Sequence, residues 1–118
     1  MSRAARICWV LTIVYWCGLF ALTHLPAVKL PVVPIKDKTA HFISYGVLAT
    51  ALFLSIRFST QKSAPRIAIT VLTILLAYGA LDEWTQLLVN RSCEMADWYA
   101  DVSGASVAVV LMTLLLRD

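Results

Sequence analysis

Charge is scarce in this chain of 118 residues: only 14% of its positions are Asp, Glu, Lys or Arg, while 60% are apolar and the mean hydropathy is +0.79. A soluble domain carries about 25% charged and about 45–50% apolar residues, so the composition excludes an ordinary water-soluble domain. Cysteine is scarce too, and its three copies (Cys8, Cys17, Cys93) are odd in number, which excludes a disulfide framework. Four glycines and four prolines exclude collagen-like and low-complexity chains. The net charge of +3 is small and scattered, which excludes a nucleic-acid footprint. His and Cys never fall at zinc-ligand spacing, so no metal ligand set is assigned.

What is abundant is long apolar runs. A bilayer core of about 30 Å needs about 20 apolar helical residues. Four segments qualify, at about 7–25, 39–56, 67–88 and 98–116. Continuous runs without alternation favour helices over barrel strands. The first run is longer than the about 7–15 residues of a signal-peptide core and no Ala-x-Ala follows it, so it reads as a span. The expected architecture is an all-α membrane protein, a four-transmembrane-helix bundle forming a single domain over 1–118. Six cations (Arg3, Arg6, Arg57, Lys62, Arg66, Arg117) lie on the side of the termini, and four (Lys29, Lys36, Lys38, Arg91) on the side of the loops 26–38 and 89–97. The positive-inside rule then places both termini in the cytoplasm and both polar loops outside. The stretch Pro26-Ala27-Val28-Lys29-Leu30-Pro31-Val32-Val33-Pro34-Ile35-Lys36 reads as an extended, proline-stiffened connector.

The polar residues of the spans concentrate at the outer ends of helices two, three and four. At 100° per residue, Asp37, His41 and Ser44 fall within about 60° of one another, with Tyr45 about 40° further round. Asp37 is also placed to cap its helix. Tyr78, Gly79, Asp82 and Gln86 share about 100° of helix three, with Glu83 beside them. Asp97, Asp101, Gly104 and Ala108 fall within about 60° on helix four, and the small pair Gly104/Ala108 marks that face as a packing face. Charges at this depth are costly, about 2.5–3.5 kcal/mol each at the bilayer centre, so they call for partners, among which Lys38, His41 and Arg91 are the candidates. Tyr45, Tyr78, Trp84 and Trp98 also suit an interfacial aromatic belt, His24 suits the interface, and the inner helix halves read as nearly dry. A purely structural polar network is the competing explanation.

These residues resemble a known family. Asp37-Lys38-Thr39-Ala40-His41-Phe42-Ile43-Ser44-Tyr45, Asp82-Glu83-Trp84-Thr85-Gln86, and Arg91 followed by Asp97-Trp98-Tyr99-Ala100-Asp101-Val102-Ser103-Gly104 are similar, in order, to three motifs of VanZ-like membrane proteins. Many relatives carry Asn at the position of Asp101 and a second Gly at that of Ala108. The resemblance implies a small bacterial membrane protein with work at the cell envelope. In the family's namesake it is linked to resistance to the glycopeptide teicoplanin, but no reaction is implied.

The sequence thus points to Asp37, Lys38, His41, Tyr45, Asp82, Glu83, Gln86, Arg91, Asp97 and Asp101 as a binding site. Its first-ranked role is holding an anionic lipid or cell-wall intermediate. A membrane-embedded hydrolase or transferase is second, with His41, Glu83 and Asp101 as acid–base candidates. A proton-coupled carrier is third. No cofactor is identified. An Mg²⁺ ion bridging carboxylates and phosphate would offset the excess of acid, though no spacing supports it. The expected partner is the lipid bilayer of the bacterial cytoplasmic membrane, and a homo-oligomer is left open.

Overall fold

The computed structural model describes residues 1–25, 37–89 and 94–117. All regular structure among them is helical: α1 (Arg3–Thr23), α2 (Asp37–Ser59), α3 (Ala64–Gln86, continued by a 3-10 turn over Leu87–Val89) and α4 (Met95–Leu115). All four are long and apolar enough to cross a membrane. The bundle measures 45 × 26 × 25 Å, and its long axis matches the about 40–45 Å of a bilayer with its headgroups.

The helices run further than the apolar stretches do at most of their ends. α1 starts four residues before Ile7 because the Ser2 hydroxyl accepts the Ala5 N–H at 3.1 Å. It stops at Thr23, where the His24 N–H closes the last turn on Phe20 at 3.1 Å. α2 takes Asp37 as its first helical residue rather than as its cap, and α4 starts at Met95. The apolar count measures the segment that meets hydrocarbon, whereas backbone hydrogen bonding continues into the interface. The proline connector 26–36 lies outside the described residues.

α2 is the hub, packing along α4, α1 and α3, while α1 barely touches α3. Three buried stripes at three- and four-residue spacing meet inside: Tyr45, Leu48, Leu52 and Ile56 on α2; Ile67, Val71, Leu75, Gly79, Asp82 and Gln86 on α3; Asp97, Asp101, Ala105, Ala108 and Val109 on α4. Each stripe is apolar towards the end that holds the chain termini. It turns polar towards the opposite end, where α1 and α3 finish and α2 and α4 begin, called the loop end below. Outward faces are apolar, as lipid demands: Val14 is 66% exposed and Leu115 76%. Between α1 and α4, across α2, runs a lipid-facing groove of about 590 Å³ with no charged residue in its walls.

α1 buries little, only Ala5, Thr12 and Leu19. Polar pins fasten it to α2 instead: the Trp9 indole donates to Ser59 Oγ at 2.7 Å and the Tyr15 hydroxyl to the Ser44 carbonyl at 2.9 Å. Thr12 and Ser55, both buried, meet at 2.8 Å. Ser55 already donates to Ala51 O at 2.9 Å, so Thr12 is the donor of that pair. The half of the bundle expected to be nearly dry therefore holds neutral hydroxyls at its helix contacts. A double-mutant cycle of Thr12→Val and Ser55→Ala, read by thermal melting in detergent, should give a coupling of about 0.6 kcal/mol, and not more than about 1.7 kcal/mol, as for other hydrogen bonds within membrane bundles.

Candidate functional site

The polar ends of the three stripes, joined by the end of α1, form two assemblies of opposite character.

The first is filled. Asp82 is 1% exposed and sits where α1, α2 and α3 meet. Its Oδ2 accepts from the Tyr45 hydroxyl at 3.3 Å and the Gln86 amide at 3.2 Å, and its Oδ1 accepts from the Thr23 hydroxyl at 3.0 Å. His24 stands 3.7 Å from the same Oδ1 and reaches the Thr85 hydroxyl at 2.7 Å with Nε2. Its Nδ1 lies 2.9 Å from the Phe20 carbonyl, which can only accept, so that nitrogen carries a proton. Every carboxylate oxygen here has a donor, and the ring of Tyr45 stacks on that of Tyr78 with centroids 6.1 Å apart. Such satisfaction is what lets a buried carboxylate hold helices together.

The second assembly surrounds His41, whose side chain is 10% exposed. Its Nδ1 lies 2.7 Å from Asp101 Oδ1 and 3.8 Å from Glu83 Oε1. Its Nε2 lies 3.7 Å from Asp97 Oδ2 and 3.8 Å from Asp37 Oδ1. Above it, Lys38 donates to Asp97 and, at 2.6 Å, to Glu94, with Asp37 at 3.7 Å. Exposure falls steeply with depth. Asp37, Glu94 and Lys38 keep 62%, 50% and 46% of their side-chain surface, whereas Asp97 keeps 8% and Asp101 none. The cluster thus grades from exposed charges at the helix ends to buried carboxylates towards the middle of the bundle, and is called the funnel below for that gradient.

The floor of the funnel is under-satisfied. Glu83 is 3% exposed and neither of its carboxylate oxygens makes a hydrogen bond with a described residue, although the Glu94 backbone lies alongside. Asp101 Oδ2 is likewise buried without a described donor. Buried carboxylate oxygens cost several kcal/mol (on the order of the amide and hydroxyl penalties or more) unless a proton, water or cation meets them.

Two glycines permit this arrangement. A Cβ on Gly104 would stand 2.0 Å from the Phe42 carbonyl oxygen, so α4 lies against the backbone of α2 beside the His41–Asp101 pair. A Cβ on Gly79 would stand 3.2 Å from the Trp98 ring. The Trp98 indole crosses α3 there and donates to Leu76 O at 3.2 Å.

Of the residues singled out from sequence, Asp37, Lys38, His41, Glu83, Asp97 and Asp101 come together in the funnel. Tyr45, Asp82 and Gln86 belong instead to the filled assembly. Tyr45 is 1% exposed, a core residue and not a belt aromatic, whereas Trp84 is 62% exposed and does fit the belt. Arg91 and Cys93 lie outside the described residues. Lys38 holds Glu94 and Asp97. Thr23, His24, Thr85 and Glu94 were not singled out as site residues. Their signal was their level: each sits at the same end of a span as the motif residues. The lack of zinc spacing also concealed that His41, Glu83 and Asp101, from three helices, place one ligand-type atom each within 4.8 Å of one another.

A four-helix, multi-pass membrane protein with a buried His–carboxylate cluster at one end is the class these features define. The chain belongs to the VanZ/LLP1 family, whose family model matches residues 10–116. No curated protein and no solved structure matches it.

Proposed function

We propose that the protein works in the bacterial cytoplasmic membrane with both termini in the cytoplasm. The funnel then faces outward and binds or handles the phosphate-bearing headgroup of an anionic envelope lipid or cell-wall intermediate. The orientation rests on the excess of Lys and Arg at the termini side. The observation that carries the function is the burial gradient itself: exposed charges at the helix ends stand over buried carboxylate oxygens that the described residues leave without donors. A carboxylate kept only to hold helices would have both oxygens met, as Asp82 has, although the Tyr78 hydroxyl near it is itself buried without a described partner.

Among the described residues Lys38 is the cation at this end of the bundle that an incoming phosphate would meet. Five carboxylates (Asp37, Glu83, Glu94, Asp97, Asp101) face it and His41, so a further positive charge beneath it would favour an anion. Native mass spectrometry of protein extracted with its lipids should show an anionic phospholipid or polyprenyl phosphate enriched over bulk membrane. In Lys38→Ala that enrichment should fall several-fold. Equal lipid profiles for the two proteins would remove the reading. The family tie extends it to glycopeptide tolerance, which predicts that deletion shifts glycopeptide susceptibility.

A second reading is favoured by one specific contact. Asp101 holds His41 Nδ1 at 2.7 Å and leaves Nε2 on the side of the rim acids Asp37 and Asp97. A carboxylate that fixes one imidazole nitrogen frees the other for proton transfer. On this reading His41 is the acid–base group of a hydrolase or transferase, with Glu83 and Asp101 beside it. Full rescue of a deletion phenotype by His41→Gln at wild-type expression would exclude it.

A further inference from the structure

We propose that His41, Glu83 and Asp101 are ligands of a divalent transition-metal ion held between α2, α3 and α4. The site stands on the geometry of these three side chains and does not require the lipid reading.

Three observations converge on it. One ligand-type atom from each residue falls within a 4.8 Å span, and the two distances from His41 Nδ1, 2.7 Å to Asp101 and 3.8 Å to Glu83, bracket the separation of two ligands on one ion. That separation is about 3.3 Å for metal–ligand bonds of about 2.0–2.2 Å. Glu83 and Asp101 are 3% and 0% exposed, and three of their four carboxylate oxygens lack a described donor. An ion at this point meets Glu83 and puts positive charge beside Asp101 Oδ2, whose neighbouring Oδ1 faces His41. On the other face of the imidazole, Nε2 lies 3.7 Å from Asp97 and 3.8 Å from Asp37. With Nδ1 on the metal, Nε2 bears the proton and points it at a carboxylate, the outer-shell arrangement that orients most metal-bound histidines. Lys38 in turn anchors Asp97.

The donor set decides the kind of ion. Mg²⁺ and Ca²⁺ take oxygen ligands, whereas an imidazole with two carboxylates suits Zn²⁺ or Mn²⁺. Three protein ligands leave further coordination positions for water or a phosphate oxygen. The ion would also join α2, α3 and α4, whereas Asp82 ties α1, α2 and α3. It would supply the positive charge that an anionic headgroup requires.

The test uses the full chain, untagged, purified in detergent and stripped with EDTA. Titration with Zn²⁺ and with Mn²⁺, read by calorimetry and by elemental analysis after desalting, should give one ion per chain and a higher melting temperature. Mg²⁺ should bind at least tenfold more weakly. Glu83→Gln and Asp101→Asn preserve shape and should each weaken binding by tenfold or more. Asp97→Asn, one shell further out, should weaken it by about tenfold. Melting curves of the stripped variants confirm that each is folded. Absence of binding by wild type overturns the proposal, and so does wild-type affinity in folded Glu83→Gln and Asp101→Asn. Lipid enrichment measured on the same samples separates the two claims. Lipid retained without any metal binding sinks the ion alone, and metal bound without lipid enrichment upholds the ion and removes the lipid reading.

Discussion

Replacing Gly104 with alanine should unseat α4. The added Cβ would lie 2.0 Å from the Phe42 carbonyl oxygen and 2.8 Å from its carbon, and both are backbone atoms of a helix that cannot rotate out of the way as a side chain would. The two helices must separate by more than an ångström along their largest contact. Alanine in a helix interior gains about 1 kcal/mol over glycine, but overpacking of this kind costs about 3 kcal/mol or more. A large fall in the melting temperature in detergent is therefore expected. Gly46→Ala is the matched control. Its Cβ would stand 3.5 Å from the Gly104 carbonyl oxygen, an ordinary contact, so it should be neutral or slightly stabilising. Gly104 lies one turn beyond Asp101, and Phe42 adjoins His41. Separation of α2 from α4 therefore also lengthens the His41–Asp101 contact, and metal or lipid retention should fall with the melting temperature. Equal melting of Gly104→Ala and Gly46→Ala would show that α4 does not lie on α2 in this way.

Neighbouring acids on α3 should respond in opposite directions. Asp82→Ala leaves the buried Tyr45 hydroxyl and Gln86 amide without the oxygen that they share, whereas the Thr23 hydroxyl keeps the Phe20 carbonyl at 3.1 Å. Each orphaned buried donor costs about 1–3 kcal/mol, so the loss should reach about 2 kcal/mol or more. Asp82→Asn keeps one accepting oxygen and should fall between Asp82→Ala and wild type. Glu83→Gln in metal-free protein should melt within about 1 kcal/mol of wild type, or be more stable, because it exchanges a costly buried carboxylate for a neutral group at oxygens that no described donor meets. Thermal melting of the three variants side by side in one detergent reads the contrast. Were Glu83→Gln the more damaging, the distinction between a satisfied and an unsatisfied carboxylate would be wrong.

That contrast also marks what could be seen in the sequence. Helical angles put Asp82, Glu83 and Gln86 on one face with Tyr78 and Gly79, and put Asp97 and Asp101 on the packing face of α4, which is where they lie. They could not divide Asp82 from Glu83, since a helical wheel assigns a direction and not a partner. The division is made by Thr23 and His24 at the end of α1, which bring donors to Asp82, and by His41 and Asp101, which gather on Glu83's side. The site residues overlooked in the sequence, Thr23, His24, Thr85 and Glu94, each carry no long polar run. Their roles come from standing at the same height as residues tens of positions away.

The amino-acid sequence by itself determined the class of molecule. Four apolar runs of bilayer length without strand alternation favour helices as the backbone's hydrogen-bonding solution in lipid, and the charged residues could gather only at the ends where water begins. Which carboxylate is satisfied and which is left facing a histidine was decided only by tertiary structure. Donors and acceptors reach one another over about 3 Å, a scale fixed by how four helices rotate and slide against each other, and that rotation is set in part by a single missing Cβ at Gly104.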